Sequence, residues 1–126
     1  MTSQEISEET IFAEAEKIAK LYADKIVDRF DGIKQKYVDR VKEDLSSQTI
    51  LEKLEKELSD EYRNISDELI DANIAYLKKI GVEAGSRLLT MMGEKYQDPI
   101  LRGVYIKTKA EVLNAYTAIR NEKSSR

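Results

Sequence analysis

Glu52-x-x-Glu55 and, twelve residues on, Glu68-x-x-Asp71 are the residues of this chain best suited to chemistry. Carboxylates three apart share one face of a helix, and two such pairs brought face to face can hold Mg²⁺ through oxygen ligands alone. Nitrogen and sulfur ligands are missing, because the 126 residues include no His and no Cys. Their absence excludes a Ser–His–Asp triad, cysteine nucleophiles, thiolate zinc sites and a disulfide framework. Charged residues make up 36% of the chain and the hydrophobic set 41%. That composition suits one globular domain with a real core. One Pro and five Gly are too few for the many turns of a β-protein.

The elements that would position these acids read as helices throughout. Ser7 precedes Glu8 and Glu9, acids suited to the positive end of a helix dipole. From there the apolar residues repeat every eleven positions, as Ile11, Tyr22 and Ile33, then Ala15, Ile26 and Tyr37, then Ala19, Phe30 and Val41. An eleven-residue repeat is close to three helical turns, so one face stays apolar to about residue 45. Gly32 is its weakest point, and the helix is expected to run through it. Ser46-Ser47 can cap a second helix whose stripe runs Leu51, Leu54, Leu58, Tyr62, Ile65, Leu69, Ala72, Tyr76 and Ile80. Gly81 suits a C-terminal cap, or a position within a helix continuing to Tyr96. Asp98-Pro99 reads as an N-cap followed by Pro at the first helical position. The expected fold is all-α, an antiparallel bundle of three to four helices with two long ones, near 8–45, 48–80, 82–96 and 99–121. It forms one domain over 1–126, with 1–7 and 122–126 as disordered tails.

The stretch Glu68-Leu69-Ile70-Asp71-Ala72-Asn73-Ile74-Ala75-Tyr76-Leu77, with Ile80-Gly81-Val82 after it, resembles the second metal-binding helix of the all-α nucleotide pyrophosphohydrolases related to MazG. The resemblance covers about 30 residues. It implies that Glu52, Glu55, Glu68 and Asp71 bind magnesium for cleavage of nucleoside triphosphates, with the two pairs on separate, facing helices. The residues around Glu52 depart from the family, lacking its usual Gly between the acids and the small apolar positions beside them. The second stripe also runs unbroken through both pairs, which places them on one helix. A turn at Arg63–Ser66, with Ser66 as cap, would separate them. Read from spacing, the four acids form a solvated face with Glu–Lys pairs such as Glu52–Lys56, and the protein is expected to be non-enzymatic and to need no cofactor.

Charge divides along the chain. Residues 1–77 carry 19 acids and 11 bases, whereas residues 78–126 carry 5 acids and 10 bases. The halves can neutralise each other within one bundle, or an acidic face of one copy can meet a basic face of another. On the last helix Leu101, Tyr105, Val112, Tyr116 and Ile119 make one apolar face, and Ile106, Ala110 and Leu113 make a second strip. Arg102, Lys109 and Arg120 lie between them. A surface helix needs one apolar stripe, so the second strip and its cations are candidates for contact with another chain. Gly81 and Gly85 form a GxxxG, read as a helix turn followed by close packing, and they join the second strip as interface candidates. Tyr96, Tyr105 and Tyr116 beside Arg102 and Lys109 are the nearest approach to a base-stacking platform, a weak pointer to nucleic acid. No apolar run is long enough to span a membrane, and MTSQEISEE lacks the basic and apolar regions of a secretory signal. The expected setting is therefore intracellular, or a particle assembled inside the cell. The Lys, Glu, Ile and Tyr content leans toward a thermophile. In size and composition the chain is similar to small helical bundles of crenarchaeal viruses, among them coat proteins and inhibitors of host polymerase. The expected function is structural or regulatory, through helix packing against itself or a larger assembly.

Overall fold

Ser7 starts the first helix by a side-chain cap: its Oγ accepts the Thr10 backbone N–H at 3.2 Å, satisfying one of the donors a helix start leaves open. The computed structural model describes residues 6–43 and 48–124, and helix accounts for 93% of these described residues, with no strand among them. Helix α1 spans Glu8–Glu43 and α2 spans Gln48–Lys79. A short α3, Ser86–Met91, passes into a π-helical turn, Met92–Gln97, and then into α4, Asp98–Ser124. The Ser46-Ser47 cap, residues 44 and 45, and the chain ends at 1–5 and 125–126 lie outside the described residues. α1 continues through Gly32 as expected, and α4 continues to Ser124, past the expected end at Asn121.

The eleven-residue rows of α1 are its buried face: Ile11, Ala15, Ala19, Ile26, Phe30, Tyr37 and Val41 are all in the core. Leu54, Leu58, Ile65 and Leu69 answer them from α2, and Leu101 and Val112 from α4. α1 packs along both α2 and α4, and α2 packs less extensively on α4. Ion pairs link Lys25 and Arg29 to Glu68, Arg29 to Glu61, and Lys36 to Glu57, so contacts advance along α1 as they recede along α2. Toward α4 they advance together: Phe12 stacks on Tyr96 with ring centroids 5.0 Å apart, and Lys34 pairs with Glu111 at 2.9 Å.

The end of α2 is set by Gly81, whose φ of +72° is open to glycine and strained for other residues. The Val82 N–H donates to the Leu77 carbonyl at 2.9 Å, and the Gly81 N–H to that of Lys78 at 3.2 Å. These two bonds close a Schellman turn, and Val82 packs into the cluster that holds Leu77. The third helix consequently begins at Ser86, not at 82.

The expected break at Asp98-Pro99 does not occur. Asp98 has helical φ and ψ of −58° and −38° and is no N-cap; its N–H donates to the Gly93 carbonyl, five residues back. A proline inside an α-helix removes one bond, and its ring crowds the carbonyl four residues before it. The wider π turn directly ahead of Pro99 relieves that crowding, so the chain stays helical from Ser86 to Ser124.

The π turn also carries Gln97 into the core. Its Nε2 donates to Asn73 Oδ1 at 2.7 Å and to the Ala15 carbonyl at 3.0 Å, while Asn73 Nδ2 donates to Gln97 Oε1 at 2.8 Å. Both amides are buried. They join three helices between two apolar clusters, one around Phe12, Leu77 and Met92 and the other around Phe30, Leu58 and Leu101. Gln97→Leu should destabilise the fold by about 2 kcal/mol, because Asn73 keeps its desolvation cost and loses its partner. Asn73→Leu should do the same, and the double variant should cost less than the two singles added together. Urea unfolding of the three variants measures this coupling.

Candidate functional site

The two acidic pairs lie on one unbroken helix, since α2 shows no turn at Arg63–Ser66. At about 1.5 Å per residue Glu55 and Glu68 are roughly 20 Å apart along the axis, too far to share an ion. The facing helices that the MazG resemblance requires are therefore missing, and the acids do not fit an Mg²⁺ centre. Among the described residues no group of three or more acids is placed to hold a metal.

Each pair is instead engaged elsewhere. Glu68 accepts from Arg29 and, at 3.4 Å, from Lys25 on α1. Glu55 pairs with Lys109 of α4 at 2.7 Å and accepts the Tyr105 hydroxyl at 2.7 Å. Glu52 and Asp71 are exposed, and the expected Glu52–Lys56 contact gives way to Lys56–Asp60 at 3.0 Å. The Lys109 ammonium, then the Tyr105 hydroxyl, holds the Glu55 carboxyl below its ordinary pKa, and the Arg29 guanidinium does the same for Glu68.

The second strip of α4 is on the surface. Ile106 is 57% exposed and Leu113 36% exposed, with exposed Ala110 between them, while Leu101 and Val112 of the first strip are buried. An open groove of about 600 Å³ between α2 and α4 is lined by Ile106 together with Tyr62, Arg63, Arg102 and Tyr105. The cation row is largely answered from within the chain. Arg102 pairs with Asp98 at 3.0 Å and Lys109 with Glu55, while Arg120 is exposed near the end of α4.

Two other sequence candidates are rearranged. Gly81 sits in the Schellman turn and Gly85 caps α3 in extended conformation, so they flank a loop and share no helix face. A Cβ on either would meet nothing within 4 Å, so neither marks a close approach within this fold. The tyrosine platform is also not assembled. Tyr96 lies against Phe12, and Tyr105 meets Phe30 and Tyr62 edge to face, with centroids 6.4 Å and 5.6 Å away. Stripes traced through apolar residues alone pass over Gln97 and Asn73; their spacing of four from Leu101 and Leu69 is the signal that could have marked them.

Fold and surface together define an all-α protein with an exposed apolar helix face. No family model matches the chain, no curated protein matches it, and no solved structure matches it. Among the described residues no helix is long and apolar enough to cross a membrane.

Millimolar Mg²⁺ is expected to leave the thermal midpoint unchanged, since a ligand stabilises only by binding the folded state. A rise in midpoint that disappears in Glu68→Gln would reverse that conclusion. Acid should weaken the fold through the same carboxylates. Their folded pKa values lie below the unfolded value of about 4.3, so their contribution is complete above that pH and is lost as pH falls through the folded values. Denaturant midpoints between pH 6 and pH 3 should fall less steeply in Glu68→Gln than in the parent. The difference is small for pairs this exposed, about 1 kcal/mol or less.

Proposed function

We propose that this is a non-enzymatic structural or regulatory protein that works by packing helices against other chains, either copies of itself or a larger assembly. The reading rests on one observation, the apolar face of α4 at Ile106, Ala110 and Leu113, which faces solvent in the single chain. Burying such side chains in a partner supplies the main favourable term of association, about 25 cal/mol per Å² before the cost of bringing two bodies together. A lone bundle gains nothing from keeping a helix apolar on two sides.

The scaffold behind that face is read as a single domain, an antiparallel bundle of three long helices, with α2 running against both α1 and α4. The order of the ion pairs along α1 and α2 supports this, as does the pairing of Glu55 with Lys109 and of Asn73 with Gln97. A coat-forming or polymerase-binding role, as in the crenarchaeal viral bundles of similar composition, would use a surface of this kind.

The test places a photo-crosslinking amino acid at position 106 or 113 of the full chain in the cells that make it, with position 53 as an exposed polar control. Covalent adducts of defined mass are expected from 106 and 113 and not from 53. Equal labelling at all three, or none, would overturn the reading.

A further inference from the structure

The exposed strip on α4 extends at both ends with a regular spacing. Gly103, Ile106, Ala110, Leu113 and Thr117 succeed one another in steps of three, four, three and four, and all five are exposed. That is the heptad seam of helices packed side by side, with small residues at every seventh position and large ones between. The pattern is complementary to itself. Laid antiparallel on a second α4, with the two-fold axis level with Thr108, each large residue meets a small one: Ile106 faces Ala110 of the other copy, and Leu113 faces its Gly103. Thr117 then lies opposite Pro99.

We infer that the outer face of α4 is a two-fold seam for a second copy of this chain, which deepens the proposed function by naming its partner and rests on that reading. Charge favours a second copy over an acidic partner. Of the cations on one flank of the seam, Arg102 and Lys109 already have acids of their own chain, Asp98 at 3.0 Å and Glu55 at 2.7 Å, and exposed Arg120 lies past the seam's last residue, Thr117. On the other flank exposed Lys107 would face Lys107 of the second copy, a repulsion that salt screens. Self-association should therefore tighten or hold steady as salt rises, whereas capture of an acidic surface would weaken. About five side-chain layers bury on the order of 1,000 Å² in total, the low end of specific interfaces, which suits a reversible micromolar dimer.

The geometry also provides a steric test, since a Cβ added to Gly103 meets nothing within 4 Å in the single chain. The fold should accept Gly103→Leu, and helix content by circular dichroism should confirm it, but in the seam the new side chain would collide with Leu113 of the second copy. Sedimentation equilibrium of the purified full chain from micromolar to millimolar concentration should show a monomer–dimer equilibrium that does not weaken with salt. Ile106→Glu and Gly103→Leu should each raise the dissociation constant at least tenfold. Gly103→Leu combined with Leu113→Ala should recover most of that loss, because the large and small partners have exchanged places. A parent that stays monomeric at millimolar concentration would overturn the seam, as would a dimer indifferent to Ile106→Glu or a double variant that recovers nothing. Crosslinks in cells from position 106 to a different protein, with a monomeric purified chain, would sink the seam and leave the broader reading standing.

Discussion

Two buried amides and one backbone carbonyl tie the three long helices together at a polar level between two apolar clusters. The Ala15 carbonyl determines how the group is oriented. It can only accept, so Gln97 must turn its Nε2 toward it, which leaves Oε1 to receive Asn73 and makes Asn73 Oδ1 the second acceptor. Both amide oxygens and both Gln97 amide hydrogens are then used within the protein. An alternative sliding of α4 against α1 or α2 would leave these groups buried and unsatisfied, at a cost of about 1–3 kcal/mol each. Apolar contacts on either side could tolerate such a slip; the amides could not. They set the register.

The π turn is the backbone counterpart of this constraint. It takes up the Pro99 ring without ending the helix, and it places Gln97 on the inward side where α1 and α2 can reach it. An extra residue in one turn rotates α4 about its axis relative to α3. Met92 and Gln97 therefore both point inward, five positions apart, where a regular helix would separate them by more than a quarter of a turn. A rare backbone form is retained where proline and a buried amide both need it.

The uneven charge along the chain has a partly internal answer. Acids of α2 meet bases of α1 and α4, and Glu8 near the start of the chain meets Arg87 at 3.0 Å. Most of these pairs are exposed or half-exposed, so each adds little to stability. Their larger effect is to use up Arg102 and Lys109 as anchors for a foreign anion. What remains on the outer side of α4 is shape and apolar area more than unpaired charge.

Residue periodicity by itself determined the helical class, the buried face of α1 and most of that of α2, because a helix that must bury one side repeats its apolar residues at its own pitch. It also placed both acidic pairs on one helix, where about 20 Å of rise separates Glu55 from Glu68. The Gly81 stop was open to it, since only glycine readily takes the left-handed turn found there. Three things required the tertiary structure. Asp98-Pro99 carries the local signature of a helix start, and a π turn invisible to residue preference overrode it. Asn73 and Gln97 stand four residues from buried Leu69 and Leu101, in step with the stripes, but being polar they gained their place only from each other and from Ala15, far away in sequence. The α4 sequence shows two apolar strips, and no local rule says that the second stays outside the core. The choice fell to α1 and α2, which together cover one side of a cylinder and leave Ile106, Ala110 and Leu113 on the other.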